Sequence, residues 1–184
     1  MNILTKRRFT VKFQIIAGFA AIVCAAALPQ LFHAVGAVSG LGTSLGEAFL
    51  PMHIPVIFAG FIAGPFAGAA AGALSPLVSF ALTGMPTAVM LPFMCIELCV
   101  YGLTAGLFAN VKMPSVCRLL TVMAAGRIVR AGAIALSIYA FGNESIKPAA
   151  MWSNLTVGLP GILLQICVIP LLIYRIDGLK KNER

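Results

Sequence analysis

The feature that most constrains this chain is a succession of apolar stretches, near residues 13–32, 51–63, 65–83, 88–109, 117–140 and 151–174, separated by short runs of breakers and polar residues. A helix needs about 20 apolar residues to cross a ~30 Å hydrocarbon core. In lipid every backbone polar group must also be satisfied internally, which leaves helices or a closed barrel. Stretches this long and continuous predict an all-α membrane protein with six transmembrane helices, a single integral membrane domain over residues 1–184. Composition agrees: 60% of residues are hydrophobic and 10% charged, against roughly 45–50% and 25% in soluble domains, which excludes a water-soluble fold. The second stretch is short for a full crossing and meets the third at Gly64-Pro65, so the two form either a tight hairpin or a broken helix.

The cations give the orientation. Lys6, Arg7, Arg8 and Lys12 precede the first stretch, Arg175, Lys180, Lys181 and Arg184 follow the last, and Lys112 and Arg118 flank the loop between the fourth and fifth. The alternate loops carry Lys147 alone. Positive charge collects on the cytoplasmic side of a membrane protein, so both termini are expected in the cytoplasm. The formal net charge of +8 is thus a topology signal and not a nucleic-acid patch. A cleaved signal peptide is the rival for the first stretch, because a basic start and an apolar run lead to Ala25-Ala26-Ala27. Cleavage there would leave five spans with the same orientation.

Five cysteines, Cys24, Cys95, Cys99, Cys117 and Cys167, are dispersed with no C-x-x-C spacing and read as packing residues. No metal site follows, since Cys95 and Cys99 lack further ligands. Small residues recur at four-residue spacing: Ala17, Ala21 and Ala25 on the first helix, and Gly60, Gly64, Gly68 and Gly72 across the second and third. Such stripes let membrane helices approach closely. The glycines serve internal packing or a partner, and the alanine stripe is expected to face outward as a docking face for another membrane subunit.

Glu97, Arg127 and Arg130 lie at membrane depth, where each charge costs about 2.5–3.5 kcal/mol and calls for pairing, water or a ligand. At about 1.5 Å of rise per residue, Glu97 and Arg130 reach nearly the same level, with Arg127 about one turn deeper. Helical spacing puts Met90, Met94, Glu97, Tyr101 and Thr104 on one stripe and Met123, Arg127, Arg130, Ile134 and Ser137 on another. Asn154, Gly158, Gly161 and Gln165 form a third. One reading is a structural Glu97–Arg130 pair that fixes helix register. The other is a pocket whose ligand, through an anionic or strong acceptor group, uses the second arginine. Near the outer boundary His53 opens a helix after Pro51, as a satisfied interfacial residue or a ligand group. Phe49 and Met52 beside it could close over an apolar ring.

These segments resemble the substrate-binding S component of energy-coupling factor (ECF) vitamin transporters. The likeness is clearest between Gly46 and Tyr139, in Phe49-Leu-Pro-Met-His-Ile-Pro-Val56, the glycine-rich run from Ala59 to Gly72, Leu82-Thr-Gly-Met-Pro86, Glu97-Leu-Cys-Val-Tyr-Gly102 and Gly126-Arg-Ile-Val-Arg130. Length, span count and cytoplasmic termini fit the family over the whole chain. The resemblance implies a multi-pass protein of the plasma membrane that captures a vitamin or related micronutrient near the outer face, between helices four to six. It also implies a transmembrane coupling subunit, docked on an Ala-x-x-x-Ala stripe that Ala17, Ala21 and Ala25 match, and two cytoplasmic ATPases. The chain has no G-x-x-x-x-G-K-[ST], so ATP is used by the partners and no cofactor is expected here. Expected ligand contacts are Phe49, Met52, His53, Met94, Glu97, Tyr101, Arg127, Arg130 and Asn154. A zwitterion or anion with a flat ring suits them, which leaves pantothenate-like, pyridoxal-like and deazapurine-like compounds open.

An enzyme is disfavoured, because the chain has neither a G-x-S-x-G elbow nor an H-E-x-x-H cluster and its two histidines, His33 and His53, lie near the outer boundary. The remaining alternative is a small secondary, proton-coupled carrier or channel, since buried Glu and Arg also mark proton pathways. An internal inverted repeat would favour that carrier, and none is convincing.

Overall fold

In the computed structural model, residues 10–42 and 44–182 are described, apart from the side chains of 152–155 and 176–182. The described residues form helices and turns, with no strand. Helix α1 runs Val11–Val38 and is N-capped by Thr10, whose Oγ1 accepts from the Phe13 N–H at 3.4 Å. Helix α2, Ser44–Phe49, turns into α3, His53–Ala63, through Leu50, which adopts a left-handed conformation with φ 47°. Helix α4 covers Pro65–Thr83, α5 Leu91–Phe108 and α6 Ser115–Tyr139. Helices α7, Ala150–Val157, and α8, Leu159–Asn182, follow in near succession across Gly158.

Five segments are long and apolar enough to cross a membrane: α1, the combined Ser44–Ala63 segment, α4, α5 and α6. A shorter apolar helix, Leu159–Arg175, adds a sixth. The short second stretch of the sequence is thus completed by α2, whose six residues carry polar Ser44 and Glu47 and lie outside the apolar run. Gly64 resolves the junction with α4. Its φ of 100° reverses the chain, Pro65 begins the next helix where a missing N–H is tolerated, and α3 and α4 pack side by side as a hairpin.

Helix α3 is the most enclosed element, in contact with α1, α4, α5 and α8. Three helices meet there through bare backbone. A Cβ at Gly68 would overlap the Gly102 carbonyl, one at Gly72 the Leu98 carbonyl, and one at Gly106 the Pro65 backbone. The glycine ladder therefore serves internal packing, locking α4 onto α5, with Gly60 of α3 against the same Gly102 carbonyl. The main core joins Val56, Ile57 and Phe61 of α3 to Leu98 and Tyr101 of α5, Leu119 and Val122 of α6, and Ile169 of α8. Where α5 begins and α6 ends, Phe93, Ile134 and Ile146 form a separate cluster that fastens the 140–149 segment.

The alanine stripe corrects an expectation. Ala21 and Ala25 do not face outward: both are buried, Ala21 with Ala59 and Ala71, and Ala25 in the main core, while Ala17 is half-buried. The physical reason is that small side chains let α1 approach α3 and α4. Ile15, Ile16, Phe19 and Val23 are left exposed, and in lipid that exposure carries no penalty.

Candidate functional site

Helices α3, α5, α6 and α8 form a closed ring. Each packs against the next, whereas neither diagonal pair, α5 with α8 or α3 with α6, packs directly. Polar side chains point into this ring from an otherwise apolar bundle. Glu97, on the inward stripe of α5, is 1% exposed. Its Oε1 accepts from the Tyr101 hydroxyl one turn on, at 2.9 Å. Its Oε2 faces Arg130 Nε of α6 at 3.5 Å, and His53 Nε2 of α3 stands 4.0 Å from Oε1. The His53 and Tyr101 rings pack at 5.3 Å between centroids with a 56° tilt. Tyr101 can sit so close to α6 because of Gly126, where a Cβ would strike its ring.

Glu97 and Arg130 thus meet at one level. Arg127, half-buried one turn away, is close enough for its charge to act on Glu97 and His53, and its Nε is buried without a hydrogen-bond partner. One carboxylate is thus paired with Arg130 and within electrostatic reach of Arg127 in a water-poor setting, where Coulomb forces are much stronger than in water. Arginine also presents planar paired donors suited to a carboxylate or phosphate.

Beside this cluster lies a cavity of about 210 Å³. His53 belongs to both, and it lines the cavity together with Ser79 of α4. Met52, Met94 and Met85 supply polarizable walls, Leu50, Pro51 and Pro86 further apolar ones. His33 of α1 and Glu47 of α2 also line it, with the His33 ring packed where a Cβ at Gly46 would fall. Among the described residues no group of three or more His, Cys, Asp or Glu is placed to hold a metal ion.

Of the residues expected from sequence, the structure brings His53, Glu97, Tyr101 and Arg130 together, with Arg127 close by, and sets Met52 and Met94 on the cavity wall. Phe49 is not there. Its ring packs on Phe32 of α1 at 5.4 Å between centroids, and its carbonyl meets Gly161 of α8, so it seals a seam between helices. The side chain of Asn154 lies outside the described residues. His33, Glu47, Ser79 and Met85 were not anticipated, because each enters from a different helix or turn and no spacing within one segment reveals them. Thr104 shares the Glu97 stripe, yet its hydroxyl is bonded to the Val100 carbonyl of its own helix at 2.6 Å.

A family model described as the substrate-specific component of ECF transporters matches residues 15–173. No curated protein and no solved structure matches the chain.

Proposed function

Because the chain belongs to the family of substrate-specific components of ECF transporters, we propose that it captures a small vitamin-like molecule bearing an anionic or strong acceptor group and delivers it to a separate energising module. The family makes it a substrate-capture subunit of an importer and a membrane protein. The observation that carries the finer reading is the imbalance at the ring: Glu97 pairs with one guanidinium at 3.5 Å, and Arg127, one turn along α6, adds a second whose charge reaches His53 of the cavity lining. Charges within membrane helices are expensive and face cavities or one another, so an acceptor group on the cargo is the natural counterpart of that excess. Methionine and proline walls suit a flat ring.

On this reading cargo enters from outside, where the 39–42, 84–90 and 140–149 turns lie, and both termini are cytoplasmic in the plasma membrane. The coupling subunit docks on α1, where Ala17 stays partly exposed while Ala21 and Ala25 support the helix from within. Two ATPases supply the energy, since the chain has no phosphate-binding loop of its own. The test is isolation from membranes in mild detergent with mass spectrometry of the bound small molecule and of co-purifying proteins. Recovery of an ATPase pair, a coupling subunit and an acidic or acceptor-bearing ring compound is expected. Transport by the protein alone in liposomes would instead establish a secondary carrier.

A further inference from the structure

Helices α1 and α4 leave an apolar groove of about 360 Å³ between them. Gly18 lies against Ala67 and Ala21 clusters with Ala71, so the two helices run in the same direction. The groove extends along α1 from Val11, its first residue, to Ile22. Its buried lining residues are small, Gly18, Ala67 and Ala71, whereas Ile15, Phe19 and Phe66 are exposed. A floor of small side chains therefore runs between taller rims.

The shape of the groove matches one hydrocarbon chain. From Val11 to Ile22, a rise of about 1.5 Å per residue carries it roughly 16 Å along α1. That is half of a ~30 Å hydrocarbon core, the depth of one leaflet. Spread over that length, the volume gives a cross-section of roughly 20 Å², whereas a helix about 10 Å across would need roughly 80 Å². An acyl chain enters such a groove and a transmembrane helix does not.

Selection among lipids then falls to the head group, and the mouth of the groove is basic. Lys12 is exposed beside Val11 and precedes Phe19 of the rim by seven residues, two turns along the same stripe. Lys6, Arg7 and Arg8 come before it in the sequence, outside the described residues. A cluster of four basic residues next to a membrane helix attracts anionic lipid, each adding about fivefold to the affinity. Gln14, half-buried and about 4.5 Å deeper than Val11, is the one polar side chain among the described lining residues. Its amide can donate to an ester carbonyl of a lipid whose phosphate lies at Lys12.

We propose that this groove holds one acyl chain of an anionic phospholipid, from the leaflet in which α1 begins, with the phosphate held by Lys12 and the basic run before it. Ala17 lies off the groove, so a coupling subunit docked there does not need the same face. Nothing in this depends on the cargo, and loss of the lipid site would leave substrate capture as it stands.

Native mass spectrometry of the full-length protein, released from nanodiscs of equal parts phosphatidylglycerol and phosphatidylcholine, tests the site. Wild type should retain one phosphatidylglycerol per chain in preference to phosphatidylcholine, which offers the same chains without net charge. Ala70→Phe, which fills the groove from an exposed position, should lower that retention at least about tenfold, the effect of displacing two buried methylenes. Lys12→Gln should keep a bound lipid and cut the preference for phosphatidylglycerol about fivefold. If Ala70→Phe does not fold, Gly18→Leu repeats the comparison, because a Cβ there meets the Ala67 carbonyl oxygen only at an ordinary 3.7 Å. Equal retention of the two lipids by wild type, or unchanged retention in the groove-filling variants, overturns the proposal. So does loss of a co-purifying coupling subunit from Ala70→Phe with lipid retention intact, which would assign the groove to a protein partner.

Discussion

The side chains that distinguish this bundle from inert packing are few, and Glu97 organises them. It accepts from Tyr101, pairs with Arg130 and lies near His53, so three helices are tied through one carboxylate. Removing a single partner from a buried pair leaves the other charge unanswered, at about 3–5 kcal/mol. Glu97→Gln is therefore expected to lower the melting temperature in detergent sharply, whereas Glu97→Gln with Arg130→Met should recover much of the loss. Equal stability of the single variant and wild type would show that the pair does not hold α5 to α6. Arg127→Met is different in kind, because no ion pair links it to the carboxylate at contact distance. It should leave folding close to wild type and weaken the co-purifying ligand at least about tenfold, in the range for a hydrogen bond to a charged group; unchanged affinity would remove the anionic-cargo argument. Glu97 and Arg130 were legible in the sequence because charges are rare in apolar runs and helical rise fixes their depth. His33 was visible as a residue but not as a member of a site, since helix-to-helix pairing decides what it faces.

Among the elements, α3, α4 and α5 are joined by backbone rather than by side chains. Gly68 and Gly102 face each other so closely that either Cβ would overlap the opposing carbonyl, and Gly60 closes the same junction from α3. Overpacking in a tight interface costs typically about 1–3 kcal/mol. Gly68→Ala is accordingly expected to reduce thermal stability and folded yield, with Gly68→Leu abolishing the folded protein. Gly132 of α6 has open space around its Cβ position, so Gly132→Ala should be neutral or stabilise by up to about 1 kcal/mol through helix propensity. Similar losses from both alanine variants would contradict the packing. The four-residue spacing of these glycines was plain in sequence, as was that of the alanines on α1, but only the structure tells which way each stripe points. The reason lies in the solvent: lipid accepts alanine, isoleucine and phenylalanine alike, so the polarity contrast that marks the inward face of a soluble helix is missing.

At the scale of the whole molecule, the described residues hold five segments long and apolar enough to cross a membrane and one shorter apolar helix; on the six-crossing reading, which counts α2 with α3 and α7 with α8, the chain returns to the side on which it began. On that reading the Gly64 turn and the 109–114 loop share an end with the start of α1 and the end of α8, and the 39–42, 84–90 and 140–149 turns occupy the other. Lys112 and Arg118 fall at the first end and Lys147 at the second, the asymmetry expected of cytoplasmic and external faces. Arg118 also acts locally, because its Nη1 donates to the Ala109 carbonyl at 2.8 Å and its Nη2 to Ser115 Oγ at 3.1 Å, capping the C-terminal end of α5. The sequence alone left the span count open at the second stretch, since Ser44 to Phe49 shows no apolar run and becomes part of a crossing only by docking on α1 and α8. Orientation can be read in cells after the native cysteines are replaced by alanine or serine. A cysteine introduced as Lys147→Cys should react with a membrane-impermeant maleimide in intact cells. Lys112→Cys should react only after permeabilisation. The reverse pattern would invert the protein and place the cavity beside His53 on the cytoplasmic side, where it could not receive cargo from outside. Labelling of both positions in intact cells would require an odd number of crossings between 112 and 147 to become even, so that α6 would no longer span the bilayer.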